Sequence, residues 1–139
     1  MPPPISINYL AVLVAAVASM VLGFLWYGPL FGKAWMQLMV FDKKKIDAAK
    51  KKGMSKTFAI AFISTLIMSY VLAHFVDYIQ AKTFVNGIVL GFWLWIGFFA
   101  TTMLGIVLWE GKPIKLYLIN AGHYLVALIL MGGILAVWV

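Results

Sequence analysis

The chain has 139 residues, of which 65% are hydrophobic and 11% charged, and its mean hydropathy is +1.02. Soluble domains carry about 45–50% apolar and about 25% charged residues, so this composition excludes an ordinary water-soluble fold and makes the bilayer the expected solvent. The absence of Cys excludes disulfides, thiolate metal sites and cysteine nucleophiles, and a basic excess carried by Lys alone lacks the Arg that base-edge recognition favours, so no nucleic-acid partner is expected.

The first apolar run, Ile7 to Tyr27, is long enough to cross a bilayer as a helix, which needs about 20 apolar residues. Ala16-Val17-Ala18 resembles a leader cleavage site, but MPPPISIN carries no Lys or Arg and apolar sequence continues beyond, so the run is expected to be retained. It ends in LWYGPLFGKAW. Gly28-Pro29 there predicts an exit bend, with Trp26, Tyr27, Phe31 and Trp35 at the headgroup level that amphipathic rings favour. A broken-helix binding site near the bilayer midplane is the competing reading.

A polar stretch from Gly32 to Lys56 follows. Trp35, Leu38 and Met39 share a helical face, and DKKKIDAAKKKG reads as a short helix capped by Asp42 and ended by Gly53. Lys43, Lys44, Lys45, Lys50, Lys51 and Lys52 make it either a clamp on anionic lipid headgroups or a solvated loop.

The second run, Thr57 to Ile79, carries Tyr70, His74 and Asp77 on one face, with His74 and Asp77 a candidate pH-sensitive pair or an interfacial ion pair. The third, Phe84 to Trp109, carries Gly87 and Gly91 as GxxxG, with Gly105 on much the same side. Such small residues predict close helix packing. Its Phe92, Trp93, Trp95, Phe98 and Phe99 read as packing or lipid-facing bulk.

The fourth, Ile114 to Val137, places Asn120 and His123 on one face with Tyr117 and Tyr124 beside them. With Thr101 and Thr102 at similar depth, and Glu110 at the mouth, they form either a water-reached polar pocket or a set of inter-helix hydrogen bonds. His74 and His123 lie about 25 Å and about 14 Å above the starts of their helices at 1.5 Å per residue. They are not expected to share a cofactor or metal, and none is expected elsewhere.

None of the four runs alternates as barrel strands do. The expected fold is all-α, a single domain of four transmembrane helices over about 7–27, 57–79, 84–109 and 114–137. Ten Lys fall in the first and third connections and only Lys82 in the second, so the positive-inside rule puts those two connections, the first basic and amphipathic, in the cytoplasm and both termini outside. One fixed orientation implies that any homo-oligomer is parallel.

LWYGPLFGKAW, GIVLGFWLWIGF from Gly87 to Phe98 and LWEGKPIKLYLINAGHYLV from Leu108 to Val126 together resemble the signature segments of an uncharacterised bacterial membrane family, domain of unknown function 1761. The resemblance covers nearly the whole chain. It implies a bacterial inner-membrane location and brings no activity with it.

Catalysis is not expected, because no acid, base and nucleophile converge and no HExxH or phosphate-binding Gly loop is present. Two functions remain: small-solute or proton-linked binding and transport through the His123 region, or a non-catalytic lipid-binding or partner-binding structural module.

Overall fold

The computed structural model describes residues 7–39 and 55–138, and all their regular structure is helical. The lysine-rich helix expected over 42–53, with its six candidate headgroup lysines, lies outside the described residues.

Helix α1 (Tyr9–Leu25) begins where the Asn8 side chain accepts from the amides of Leu10 and Ala11 at 3.1 and 3.2 Å, a standard N-cap. It runs into a π-helical turn, Trp26–Leu30, and then α2 (Gly32–Met39). Helix α3 is Ser55–Tyr78. Helix α4 (Phe84–Leu94) opens at Thr83, whose hydroxyl accepts from the Asn86 amide, and a second π-helical turn, Trp95–Phe99, leads into short α5 (Ala100–Met103) and α6 (Gly105–Leu108). Pro113, which cannot donate, precedes α7 (Ile114–Val137).

Four stretches are long and apolar enough to cross a membrane: Tyr9–Leu30, Ser55–Tyr78, Phe84–Leu108 and Ile114–Val137. The chain is therefore a multi-pass membrane protein with an all-helical fold. The fourth span is its axis, touching all three others, with 44% of its most apolar window buried against 17–28% for the rest.

Two kinds of contact hold the axis. On one side a stripe of small residues, Ala11, Ala15, Ala16 and Ser19, recurs every three or four positions and lets the first span approach closely. It meets Leu72, Ala73 and Val76 of the second span and Ala127, Leu128, Met131 and Leu135 of the fourth, while buried Ser69 donates to the Val12 carbonyl at 2.9 Å. On the other side the third and fourth spans cross backbone to backbone at Gly87, Gly91 and Gly132: a Cβ on Gly87 would overlap the Gly132 carbonyl, and one on Gly91 would lie 2.5 Å from the Leu128 carbonyl oxygen. GxxxG thus acts inside the subunit. Gly105 takes no part, since a Cβ there would meet only the Trp109 ring at 3.5 Å.

The second span ends in a Schellman arrangement, with Ala81 N–H donating to the Val76 carbonyl and Gln80 N–H to that of Asp77. The residue that must turn left-handed is Gln80, at φ 59°, where glycine is favoured. A left-handed residue with a Cβ costs roughly 1–2 kcal/mol. Gln80→Gly is therefore expected to raise stability by about 1 kcal/mol. Thermal unfolding of the purified protein in detergent checks this, and a lower midpoint would contradict it.

Candidate functional site

Where the first span leaves its α-helical path, the Phe31 amide bonds to the Trp26 carbonyl at 2.8 Å, the five-residue spacing of a π-turn. Such turns are frequent at functional sites. This one directs Trp26 and Tyr27 onto the fourth span: Trp26 Nε1 donates to the Ile119 carbonyl at 2.9 Å, and the Tyr27 hydroxyl donates to Asn120 Oδ1 at 2.8 Å. Both side chains are half-buried. The expectation that they sit as headgroup anchors is corrected by these bonds; the bend at Gly28-Pro29 remains, but its rings serve the bundle.

The third span approaches the same place from the other side. Trp95, first residue of the second π-turn, donates through Nε1 to the Ala121 carbonyl at 2.7 Å, and the Tyr117 hydroxyl reaches back to the Ala100 carbonyl at 2.7 Å. Four indole or phenol donors thus form a collar around residues 117–121. A glycine at 122 keeps the collar tight, because a Cβ there would lie 3.2 Å from Cζ2 of Trp26.

His123 lies within this collar. Its ring centroid is 5.0 Å from Tyr124, 5.2 Å from Tyr27 and 6.3 Å from Trp26, and a Cβ on Gly23 would come to 3.5 Å from Nε2. Trp35 of α2 packs edge-on to Tyr27 at 5.4 Å, and Phe99 packs on Tyr124 at 5.2 Å. Both imidazole nitrogens are buried, and neither has a hydrogen-bond partner among the described residues. Buried polar atoms are nearly always paired, and leaving one unpaired costs about 1–3 kcal/mol. The arrangement leaves His123 able to exchange a hydrogen bond or a proton with something that arrives from outside the chain.

The other residues of the expected pocket lie elsewhere. Thr101 and Thr102 are exposed, with hydroxyls bonded to the carbonyls of Gly97 (2.8 Å) and Phe98 in their own helical stretch, and Glu110 is exposed in the turn before α7. Asn120 is beside His123, committed to Tyr27. The physical reason is phase: a π-turn adds a residue to one turn and rotates everything after it by about 100°. Thr101, Thr102 and Gly105 all follow the turn at Trp95–Phe99, so the faces read from an unbroken helix do not apply to them.

At the opposite end of the bundle His74 packs edge-on against Tyr70 at 4.7 Å, and Tyr70 stacks on Tyr9 at 6.4 Å. Tyr9 opens the first span and Trp26 nearly closes it, a separation of about 25 Å along a helix. The two histidines therefore belong to different ends. No group of three His, Asp or Glu side chains that could hold a metal ion is present among the described residues.

The profile of one protein family, "Protein of unknown function (DUF1761)", matches residues 10–136, nearly the entire chain. The chain belongs to this family. No curated protein and no solved structure matches it. The three segments that carried the resemblance from sequence are the ones that interlock here: the first supplies Trp26, Tyr27 and Trp35, the second Trp95, and the third Tyr117 and Asn120 to Tyr124. In this DUF1761 chain the family-like segments meet at one collar.

Sequence reasoning missed Trp26, Tyr27, Trp95 and Gly122 as site residues. A signal for the two tryptophans was present: Leu25-Trp26-Tyr27-Gly28 and Leu94-Trp95-Ile96-Gly97 repeat the pattern Leu-Trp-x-Gly. Each copy coincides with the opening of a π-turn, and each indole caps a carbonyl on the same turn of the fourth span.

Proposed function

We propose that this protein binds and transports a small polar solute in a proton-linked manner, with His123 as the group that takes up the proton or the solute. The observation that carries the reading is the pair of buried, unpaired nitrogens of His123 inside an aromatic collar. Imidazole is the side chain that exchanges protons near neutral pH, and an ionisable residue within a span marks a pathway by default.

The collar lies toward the end of the bundle that bears Lys33, Lys112 and Lys115. Positive-inside bias makes that end cytoplasmic, with both termini outside an inner membrane. The working unit is a parallel homo-oligomer, since four helices packed around a central fourth leave little room for a pathway within one subunit. The reading is of a binding and transport protein, not an enzyme.

The test is proton flux in liposomes carrying the purified full chain, with an internal pH-sensitive dye and a potassium gradient clamped by valinomycin. Protein-bearing liposomes should dissipate an imposed pH gradient faster than empty ones, and His123→Leu should return the rate to that of empty liposomes. Equal rates for the natural chain and His123→Leu would overturn the proposal.

A further inference from the structure

A second polar site lies at the opposite end of the bundle from His123. There the start of the first span, the end of the second and the end of the fourth surround a cleft of about 310 Å³. This volume is at the lower end of the range for small-ligand sites. Its floor is apolar, made by Ala11, Ala73, Val76, Ala81 and Leu135, all buried. Its rim carries opposite charges and amides: Asp77, Lys82, Gln80 and Asn8, with the Trp138 ring beside them.

We infer that this cleft binds a zwitterionic phosphoammonium group, the headgroup of a phosphatidylethanolamine-type lipid. Three observations converge on that chemistry. Asp77 and Lys82 line one cleft, so an ammonium and a phosphate joined by a short linker meet complementary charges at once. A carboxylate has about four acceptor sites, so Asp77 takes a ligand N–H alongside any other donor. The cleft sits where three membrane-length helices begin or end, the depth at which headgroups lie, and its apolar floor and Trp138 suit the glycerol and upper chain of a lipid.

Gln80 adds a reason why the site is held as it is. Its backbone is left-handed, where glycine would be unstrained, and its side chain lines the cleft while Nε2 donates to the Asp77 carbonyl at 2.8 Å. The amide oxygen is left to accept from an ammonium. A strained residue that also lines a cleft points to a use for its side chain.

The experiment is calorimetric titration of the purified full chain in nonionic micelles with dihexanoyl phosphatidylethanolamine, phosphatidylcholine and phosphatidylglycerol, and with free phosphoethanolamine. Choline has no N–H to give Asp77, and glycerol has no cation, so the ethanolamine lipid should bind roughly tenfold more tightly than either, the size of one charge-assisted hydrogen bond. Asp77→Asn should remove that preference. Lys82→Gln, at an exposed position, should weaken all three lipids alike. Equal affinity for the three lipids, or a preference that survives Asp77→Asn, would overturn the site. Free phosphoethanolamine binding as tightly as the lipid would keep the zwitterion chemistry and overturn the lipid source.

Discussion

Gly132→Val is expected to push the third and fourth spans apart and cost at least about 3 kcal/mol, beyond the 1–3 kcal/mol usual for overpacking. The usual figure applies where a side chain can move aside. At Gly132 the obstacle is the backbone carbonyl of Gly87, and at Gly87 it is that of Gly132, so only a shift of a whole helix makes room. Because the fourth span touches every other span, that shift would disturb the His123 collar as well. Gly97→Ala supplies the contrast: nothing lies within 4 Å of a Cβ there, and the cost should not exceed about 1 kcal/mol. Unfolding in mixed micelles against SDS measures both. Similar midpoints for the two variants would contradict the backbone crossing.

His123→Leu is expected to move stability and function in opposite directions. The imidazole makes no hydrogen bond among the described residues that the substitution could break, and its desolvation is a standing cost of about 1–3 kcal/mol. Leucine is apolar, and its contacts with Trp26, Tyr27 and Tyr124 replace those of the ring. The variant should therefore unfold at least about 1 kcal/mol later than the natural chain while losing the proton flux proposed above. A residue kept at the expense of stability is the mark of a working site. A clear loss of stability in His123→Leu would instead make the histidine a packing element.

What could be read from the sequence follows the physics of each signal. Four apolar runs and their helical nature were legible, because span length and hydrophobicity are properties of composition over about 20 residues. The close approach at Gly87 and Gly91 was legible in kind; its partner was not, because Gly132-Gly133 in an apolar helix looks like any other small pair. The depth of Asn120 and His123 followed from counting along the helix, but their neighbours did not.

Two π-turns account for most of that gap. Pattern reading assumes one helical period, and an extra residue at Trp26–Leu30 turns Trp26 and Tyr27 toward the fourth span rather than to the headgroups. The turn at Trp95–Phe99 brings Trp95 inward and carries Thr101, Thr102 and Gly105 off the faces an unbroken helix would give them. Neither turn has a propensity signature that separates it from regular helix. The repeated Leu-Trp-x-Gly is visible only once both copies are known to cap the same stretch of the fourth span.

The most direct test of the central claim, that His123 is a site reached from outside the chain, uses the absence of native cysteine. Single cysteines are placed by Asn120→Cys and by Gly23→Cys, the second leaving His123 intact beside the probe. Intact and inverted vesicles are then treated with a membrane-impermeant thiol reagent, with Lys33→Cys as the control on the lysine-bearing side. Labelling of both sites from the same side as Lys33→Cys is the predicted result. Both sites staying unlabelled while Lys33→Cys reacts would contradict it.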